Sequence, residues 1–259
     1  MINALYIAES GLNSQQMLID VISNNIANSN TTAFKKNRVS FVDLVYRDAM
    51  SAEIDNNNTT SNRMIGAGAT AGSTSKVFTT GELKLTEHPL DIAISGNGFL
   101  EVLMPNGQTV YTRAGRLNVD TEGYLSTIDG HRLASNIQIA PDVEQIQIGS
   151  DGNVSGVLAN SNETIQLGQI ELSKFVNQEQ LQALGTNLYQ ATEASGQAIT
   201  DIPGENGMGN ILQGYTEVSN VSMIEEMVNL VMAQRGYQLN ARVIQVSDQV
   251  LETINNLRR

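Results

Sequence analysis

Residues 218–259 read VSNVSMIEEMVNLVMAQRGYQLNARVIQVSDQVLETINNLRR, with no proline, and this stretch decides the fold. Ile224, Met227, Val228 and Val231 recur at helical spacing and share a face. Further on, Val243, Val246, Val250 and Leu257 form one stripe, and Ile244, Leu251 and Ile254 the next. The combined apolar face is broad, as in a helix that touches more than one partner. Ser219 or Ser222 can cap its start, the latter with Glu225 at capping-box spacing. Arg258 and Arg259 suit a helix C-terminus. A helix of some 35–40 residues would span roughly 55–60 Å at about 1.5 Å per residue.

The other end mirrors this one. Met1, Leu5, Ala8, Leu12, Gln15, Ile19, Ile22 and Ile26 are spaced alternately four and three apart, the a/d seam of a coiled coil. That helix would be roughly 40 Å long. Both helices exceed the usual length of about 11–12 residues. Two long helices at opposite ends with similar seams are expected to pair. Their polar residues are mainly amides, among them Asn24, Asn25 and Asn28 at one end and Asn229, Gln234 and Asn240 at the other. A solvated helical face normally carries charge; an amide face suits hydrogen bonding with copies of itself.

Between the ends the composition changes. Of 22 glycines, all but Gly11 and Gly236 lie between Gly66 and Gly214, with all four prolines, so the turn-forming residues are confined to the middle. Short β-rich runs alternate there with turn dipeptides. The runs are Asp91–Ile94, Gly96–Leu103, Thr109–Arg113, Arg116–Val119, Tyr124–Ile128, Ile137–Ile139, Ile146–Ile148, Asn153–Ser155 and Leu167–Phe175. Pro105-Asn106-Gly107 and Asp129-Gly130 read as hairpin turns. We expect an antiparallel β domain of about ten strands, hence an α+β chain. The expected organisation is a discontinuous helical coiled-coil polymerisation domain (1–34 and 216–259), a connecting arm (35–80) and a β-rich outer domain (81–215). The arm holds a short amphipathic turn around Phe41, Leu44 and Val45. It also holds the polar stretch 51–75, which reads as linker or disorder.

Chemistry is sparse. The net charge is −12, which argues against a nucleic-acid partner. Without cysteine there are no disulfides or thiolate sites. Gly66–Gly72 lacks the Lys-Ser/Thr end and the strand–helix frame of a phosphate loop. Asp120, Glu122, Asp129 and Asp151 sit beside glycines and read as turn residues rather than calcium ligands or a carboxylate pair. His88 and His131 read as surface loop residues, and Lys35, Lys36 and Arg38 as a solvated or inter-subunit basic patch. No catalytic residue, metal ligand or cofactor is expected. No apolar run is long enough to span a membrane. No basic n-region opens the chain, since the first basic residue is Lys35, so export through a cleaved signal peptide is not expected.

The two ends carry a specific resemblance. Ser10-Gly-Leu-Asn-Ser14, Asp20–Asn28 and Thr31-Thr-Ala-Phe-Lys35 resemble the N-terminal motif of the bacterial flagellar rod and hook family. Gly214–Val221, Glu225–Asn229, Gln234-Arg-Gly-Tyr237 and Ser247–Leu251 are similar to its C-terminal motif. Gly96–Leu100 and Tyr111–Gly115 match its β domain. Ala33 stands where the family usually has Gly, which predicts a backbone that avoids positive φ. Gly236 stands where Ala is usual, which slightly weakens the helix.

Within the family, the length and the insert at about 47–64 resemble the members that form the distal rod rather than the longer hook proteins. The resemblance implies a non-enzymatic homopolymer that transmits torque in the periplasm. Its implied partners are the proximal rod and hook proteins, the P-ring and L-ring proteins, the rod cap and the flagellar type III export apparatus. It also implies location in the flagellar basal body between periplasm and outer membrane. Expected self-assembly residues are Leu5, Leu12, Ile19, Ile22, Asn24, Asn25, Ile26, Asn28, Ile224, Met227, Val228, Val231, Tyr237, Ile244, Val250 and Leu251. Expected inter-subunit insert residues are Arg47, Ile54, Asn57, Arg63 and Met64. Rival readings are a proximal rod or short hook protein, or a β-domain carbohydrate-binding module or enzyme with oligomerising helical tails.

Overall fold

The computed structural model describes residues 2–44, 47–48, 64–158 and 163–257. The chain divides into two compact units. One comprises residues 1–27, 37–75 and 222–259; the other comprises 28–36 and 76–221.

The first unit is built on helix α1 (Ile2–Ala27) and helix α2 (Met223–Leu257). Ser222 caps α2, its Oγ accepting from the Glu225 amide at 3.5 Å, while Ser219 Oγ bonds the Val221 amide outside the helix. The two helices pack against each other. They run antiparallel: Gly11 lies against Asn240, Gln15 against Gly236, and Asn25 against Glu226. The same unit holds β1 (Asn37–Asp43), β2 (Arg47–Asp48), β3 (Met64–Ile65) and β4 (Ala69–Lys76), paired β1 with β4 and β2 with β3. This corrects two expectations. Phe41 and Leu44 belong to a strand and its end rather than an amphipathic turn, and Val45 lies outside the described residues. Residues 69–75, read as linker, are strand. Their own propensity is weak, with only Thr70 and Thr74 β-branched, and it is pairing with β1 that makes them a strand.

The second unit is antiparallel β throughout its described ladders. Its strands are β5 (Leu83–Leu85), β6 (Ile92–Ser95), β7 (Phe99–Leu103), β8 (Thr109–Thr112), β9 (Leu117–Val119), β10 (Leu125–Thr127) and β11 (Arg132–Leu133). They continue as β12 (Val143–Ile148), β13 (Asn153–Leu158), β14 (Thr164–Gln169), β15 (Leu172–Lys174), β16 (Gln182–Gly185) and β17 (Leu188–Gln190). The last are β18 (Ile199–Asp201), β19 (Asn210–Gln213) and β20 (Tyr215–Glu217). The main sheet runs β16-β17-β8-β7-β11-β10-β9, with β15 and β18 attached beside β7. β12-β13-β14 form a three-stranded sheet, and β19-β6 and β20-β5 are two-stranded. The Pro105-Asn106-Gly107 turn joins β7 to β8 as expected. Ile137–Ile139 is not a strand; only Gln138 makes an isolated bridge, to Tyr124, while Ile137 and Ile139 serve as core residues. The run 167–175 splits into β14 and β15, with buried Ile170 between them.

Two clusters fill this unit. An aliphatic core gathers Ile92, Leu100, Val102, Val110, Leu117, Leu125, Val154 and Leu172. An aromatic one stacks Phe78, Phe99, Tyr111, Phe175 and Tyr189 edge to face, with centroids 4.8–6.1 Å apart.

Candidate functional site

Three features stand out from the residues upward: the seam between the helices, the apolar surface the helices leave uncovered, and a buried charge cluster in the β unit.

The seam is made of small and polar groups. On α1, Ala8, Ser14, Ile22 and Asn25 are buried, and Leu5, Leu12, Ile19 and Ile26 half-buried. On α2, the buried residues are Glu226 and Ala233. A Cβ at Gly11 would lie 2.6 Å from Asn240 Nδ2, and one at Gly236 would lie 3.1 Å from Gln15 Cδ and Nε2. Glycine on one helix therefore faces an amide on the other, twice and reciprocally, so the absent side chain is what lets each amide in. Gly236 has a packing role beside its helix-weakening effect, since a side chain there would crowd Gln15.

Asn25 is spent inside its own chain. Its Nδ2 donates to the Asn37 carbonyl at 3.0 Å and to Glu226 Oε2 at 3.3 Å, and its Oδ1 accepts from the Asn37 amide at 2.9 Å. Asn24 Oδ1 accepts from Asn37 Nδ2 at 3.4 Å, and in the β unit Asn28 Oδ1 accepts from Thr31.

The large apolar residues of α2 point elsewhere. Ile224, Met227, Val228, Val231, Met232, Leu239, Val243, Val246, Val250, Leu251 and Ile254 are exposed, Ile224 by 79%. Tyr237 is exposed and Ile244 half-buried. Much of the broad apolar face of α2 is thus left uncovered by α1. The pair closes through Ala8, Ile22, Ala233, the glycines and the amides facing them, with Leu5, Leu12, Ile19 and Ile26 half-buried beside them, and most of the α2 stripe remains outside it. An isolated exposed Leu needs no explanation, but a continuous stripe over most of a 35-residue helix marks an interaction surface.

The insert residues divide. Arg47 and Met64 lie on the β2–β3 ladder, where Arg47 pairs with Ile65 and Asp48 with Met64. Ile54, Asn57 and Arg63 lie outside the described residues, as do Met1, Arg258 and Arg259.

The charge cluster went unseen in the sequence. Lys35 is not a surface patch residue: it is fully buried, its Nζ 2.5 Å from Glu217 Oε1 and donating to the Thr79 carbonyl at 2.7 Å. Arg113 Nε meets Glu217 Oε2 at 3.0 Å, and its Nη2 donates to the carbonyls of Ile94 and Gly96. Two cations thus share one carboxylate away from water. Burial, and after it the neighbouring Arg113 charge, pull the Lys35 pKa down to about 8. Burial likewise pushes the Tyr189 phenol up. The Glu217 carbonyl accepts from the Ala33 amide at 2.8 Å, and Ala33 sits fully buried at φ 58°. The expectation that Ala33 avoids positive φ is therefore wrong: this hydrogen bond and close packing hold an L-residue in the left-handed region.

The acidic turn residues behave as turns. Asp120 and Glu122 both bind Arg132, at 2.7 and 2.9 Å, and Asp151 Oδ1 accepts from the Asn153 amide. His88 is exposed, and His131 is half-buried with a buried Nδ1. Among the described residues no helix is long and apolar enough to cross a membrane.

The sequence matches known proteins along its whole length. Three family models cover segments of the chain: flagella basal body rod protein at residues 5–35, the flagellar hook protein FlgE/F/G D1 domain at 93–156, and the flagellar basal body rod FlgEFG protein C-terminal region at 212–257. The chain is 42% identical to the flagellar basal-body rod protein FlgG of Borreliella burgdorferi over the whole of both chains. It is 40% identical to that of Caulobacter vibrioides, over 98% of this chain and 99% of the relative. It is 38% identical to that of Bacillus subtilis over the whole of both.

Proposed function

The chain belongs to the flagellar basal-body rod and hook family, and from that premise we propose how it works as a structural rod subunit. Copies stack helically through their terminal helices, which supercoil as an inner coiled-coil domain. The observation that carries this reading is the uncovered apolar stripe on α2. Its contacts are heterologous and do not close, so they generate a filament rather than a ring. The α1–α2 pair is the unit that stacks, its amide–glycine seam fixing the register of the two helices.

The filament is the distal rod, the part of the shaft that passes through the P and L rings from periplasm to outer membrane. It joins the proximal rod to the hook and transmits torque. The insert at 47–64 braces neighbouring copies, through Arg47, Ile54, Asn57, Arg63 and Met64. The rod cap guides assembly, and the subunit travels through the flagellar type III export apparatus. The chain performs no catalysis.

The test is Ile224→Ser with Val228→Ser and Val231→Ser in the full chain. Sedimentation and electron microscopy should show loss of rods, with the β unit's thermal unfolding unchanged. Rods formed as readily as by the unaltered chain would sink the proposal.

A further inference from the structure

The β unit contains a cavity of about 590 Å³. Two ladders frame it. Lys84 is the register partner of Thr216 across β5 and β20, and Arg116 is bridged to Asp91. Directly opposed residues of an antiparallel pair project from the same face, so each ladder aims one basic side chain the same way as its neighbour. His88 also lines the cavity, with its Nδ1 3.9 Å from the nearly buried Asp91 carboxylate, and exposed Ile128 supplies an apolar edge.

Lys84 and Arg116 differ from the other basic residues of the unit. Lys35 and Arg113 are held by Glu217, Arg132 by Asp120 and Glu122, and Lys174 by the Asn206 carbonyl. Lys36 and Lys76 are engaged as well. Among the described residues of the β unit, only Lys84 and Arg116 are basic side chains without a hydrogen bond or ion pair. Both open into the same cavity. The chain as a whole carries −12. Copies stacked side by side repel one another, and salt screens that repulsion only beyond about 8 Å under physiological conditions. The cavity holds two cations, Lys84 and Arg116, against one carboxylate, Asp91, so it keeps a positive excess that complements a chain so acidic.

We propose that this cavity receives an acidic segment of a second copy of the chain, an inter-subunit socket that sets contact order and spacing by charge. The inference rests on the self-assembly reading above. Stacking driven by the α2 stripe is favoured further where a carboxylate of one copy reaches Lys84 and Arg116 of the next.

The experiment compares Lys84→Gln with Arg116→Gln against Gln147→Glu with Gln182→Glu, a double variant of the same net charge whose changes lie at exposed positions away from the cavity. Rod formation by the full chain is followed by light scattering from low to high salt. The cavity variant should raise the concentration needed for assembly about tenfold at low salt, and the control by much less. Added salt should erase the difference. Circular dichroism checks that both variants fold. Equal assembly by the two variants would overturn the socket. So would binding of inorganic phosphate by the monomer, lost in the cavity variant while assembly is unchanged, which would make the cavity a small-anion site. Failure of the unaltered chain to form rods under any condition would overturn the self-assembly reading itself, and the socket with it.

Discussion

The two units of this chain solve opposite problems. In the β unit, apolar side chains are inside: the aliphatic and aromatic clusters are closed to water, and even a charged triad is sealed among them. In the helical unit, the buried residues on the described helices are Ala8, Ser14, Ile22, Asn25, Glu226 and Ala233, while valines, isoleucines, methionines and leucines of α2 face outward. The hydrophobic effect drives apolar surface out of water at roughly 25 cal/mol per Å². The β unit has collected that gain within one chain. The helical unit leaves much of it uncollected, on the exposed face of α2. One unit is closed by folding, and the other keeps an apolar face open to a partner.

The sharpest way to break this contrast is to disturb the sealed triad. Glu217→Ala would leave Lys35 and Arg113 buried without their counter-ion, and we expect about 3–5 kcal/mol of lost stability in the β unit by chemical denaturation. A loss below 1 kcal/mol would mean the unit is more open than its burial suggests. Next is the helix seam. Gly11→Leu with Gly236→Leu would drive side chains into Asn240 and Gln15. Overpacking of this kind costs about 1–3 kcal/mol. Amide hydrogen exchange should quicken across residues 2–27 and stay unchanged in the β unit. Protection retained in α1 would show that the helices pair by some other face.

A third probe uses pH. The folded pKa of Lys35, about 8, lies below the ordinary lysine value of 10.5. Between these values the unfolded chain holds a proton that the folded one has released, so the contribution of Lys35 to stability rises with pH across that window and is flat below it. Lys35→Met should remove that rise, read as a smaller gain in denaturation midpoint from pH 8 to 10 than in the unaltered chain. A steeper gain in the variant would reverse the sign and contradict the buried environment. The smallest effect is Ala33→Gly. Relief of the left-handed strain at φ 58° should stabilise the β unit by roughly 0.5–1 kcal/mol, or several tenths at least, in the same denaturation assay.

Much of this was legible locally. The heptad of α1 and the proline-free run of α2 announced two long helices because helical periodicity is a short-range signal. Asn106-Gly107 announced the β7–β8 hairpin for the same reason. What escaped needed partners far along the chain. Lys35 sits in a Lys-Lys-x-Arg run that reads as solvated, and only Glu217, 182 positions away, makes it a core residue. Ala33 reads as a residue that avoids the left-handed region, and a carbonyl of that same Glu217 holds it there. The apolar periodicity of α2 correctly marked a face, but periodicity alone does not say which neighbour covers it. The glycines opposite amides, Gly11 and Gly236, were the signal for the true seam, since only a missing side chain admits so close an approach.

The buried triad also imposes a sequence of events in time. A chain is made from its N-terminus, so Lys35 is present first, Arg113 second and Glu217 last. Until residue 217 arrives, two cations destined for a dry interior have no anion to accompany them, and sealing them is costly. Early collapse of the β unit is therefore disfavoured, and closure waits for a loop of long sequence separation, the slow kind of contact to make. The anion that completes the interior acts as a timer: a nascent chain is held open until residue 217 is in place.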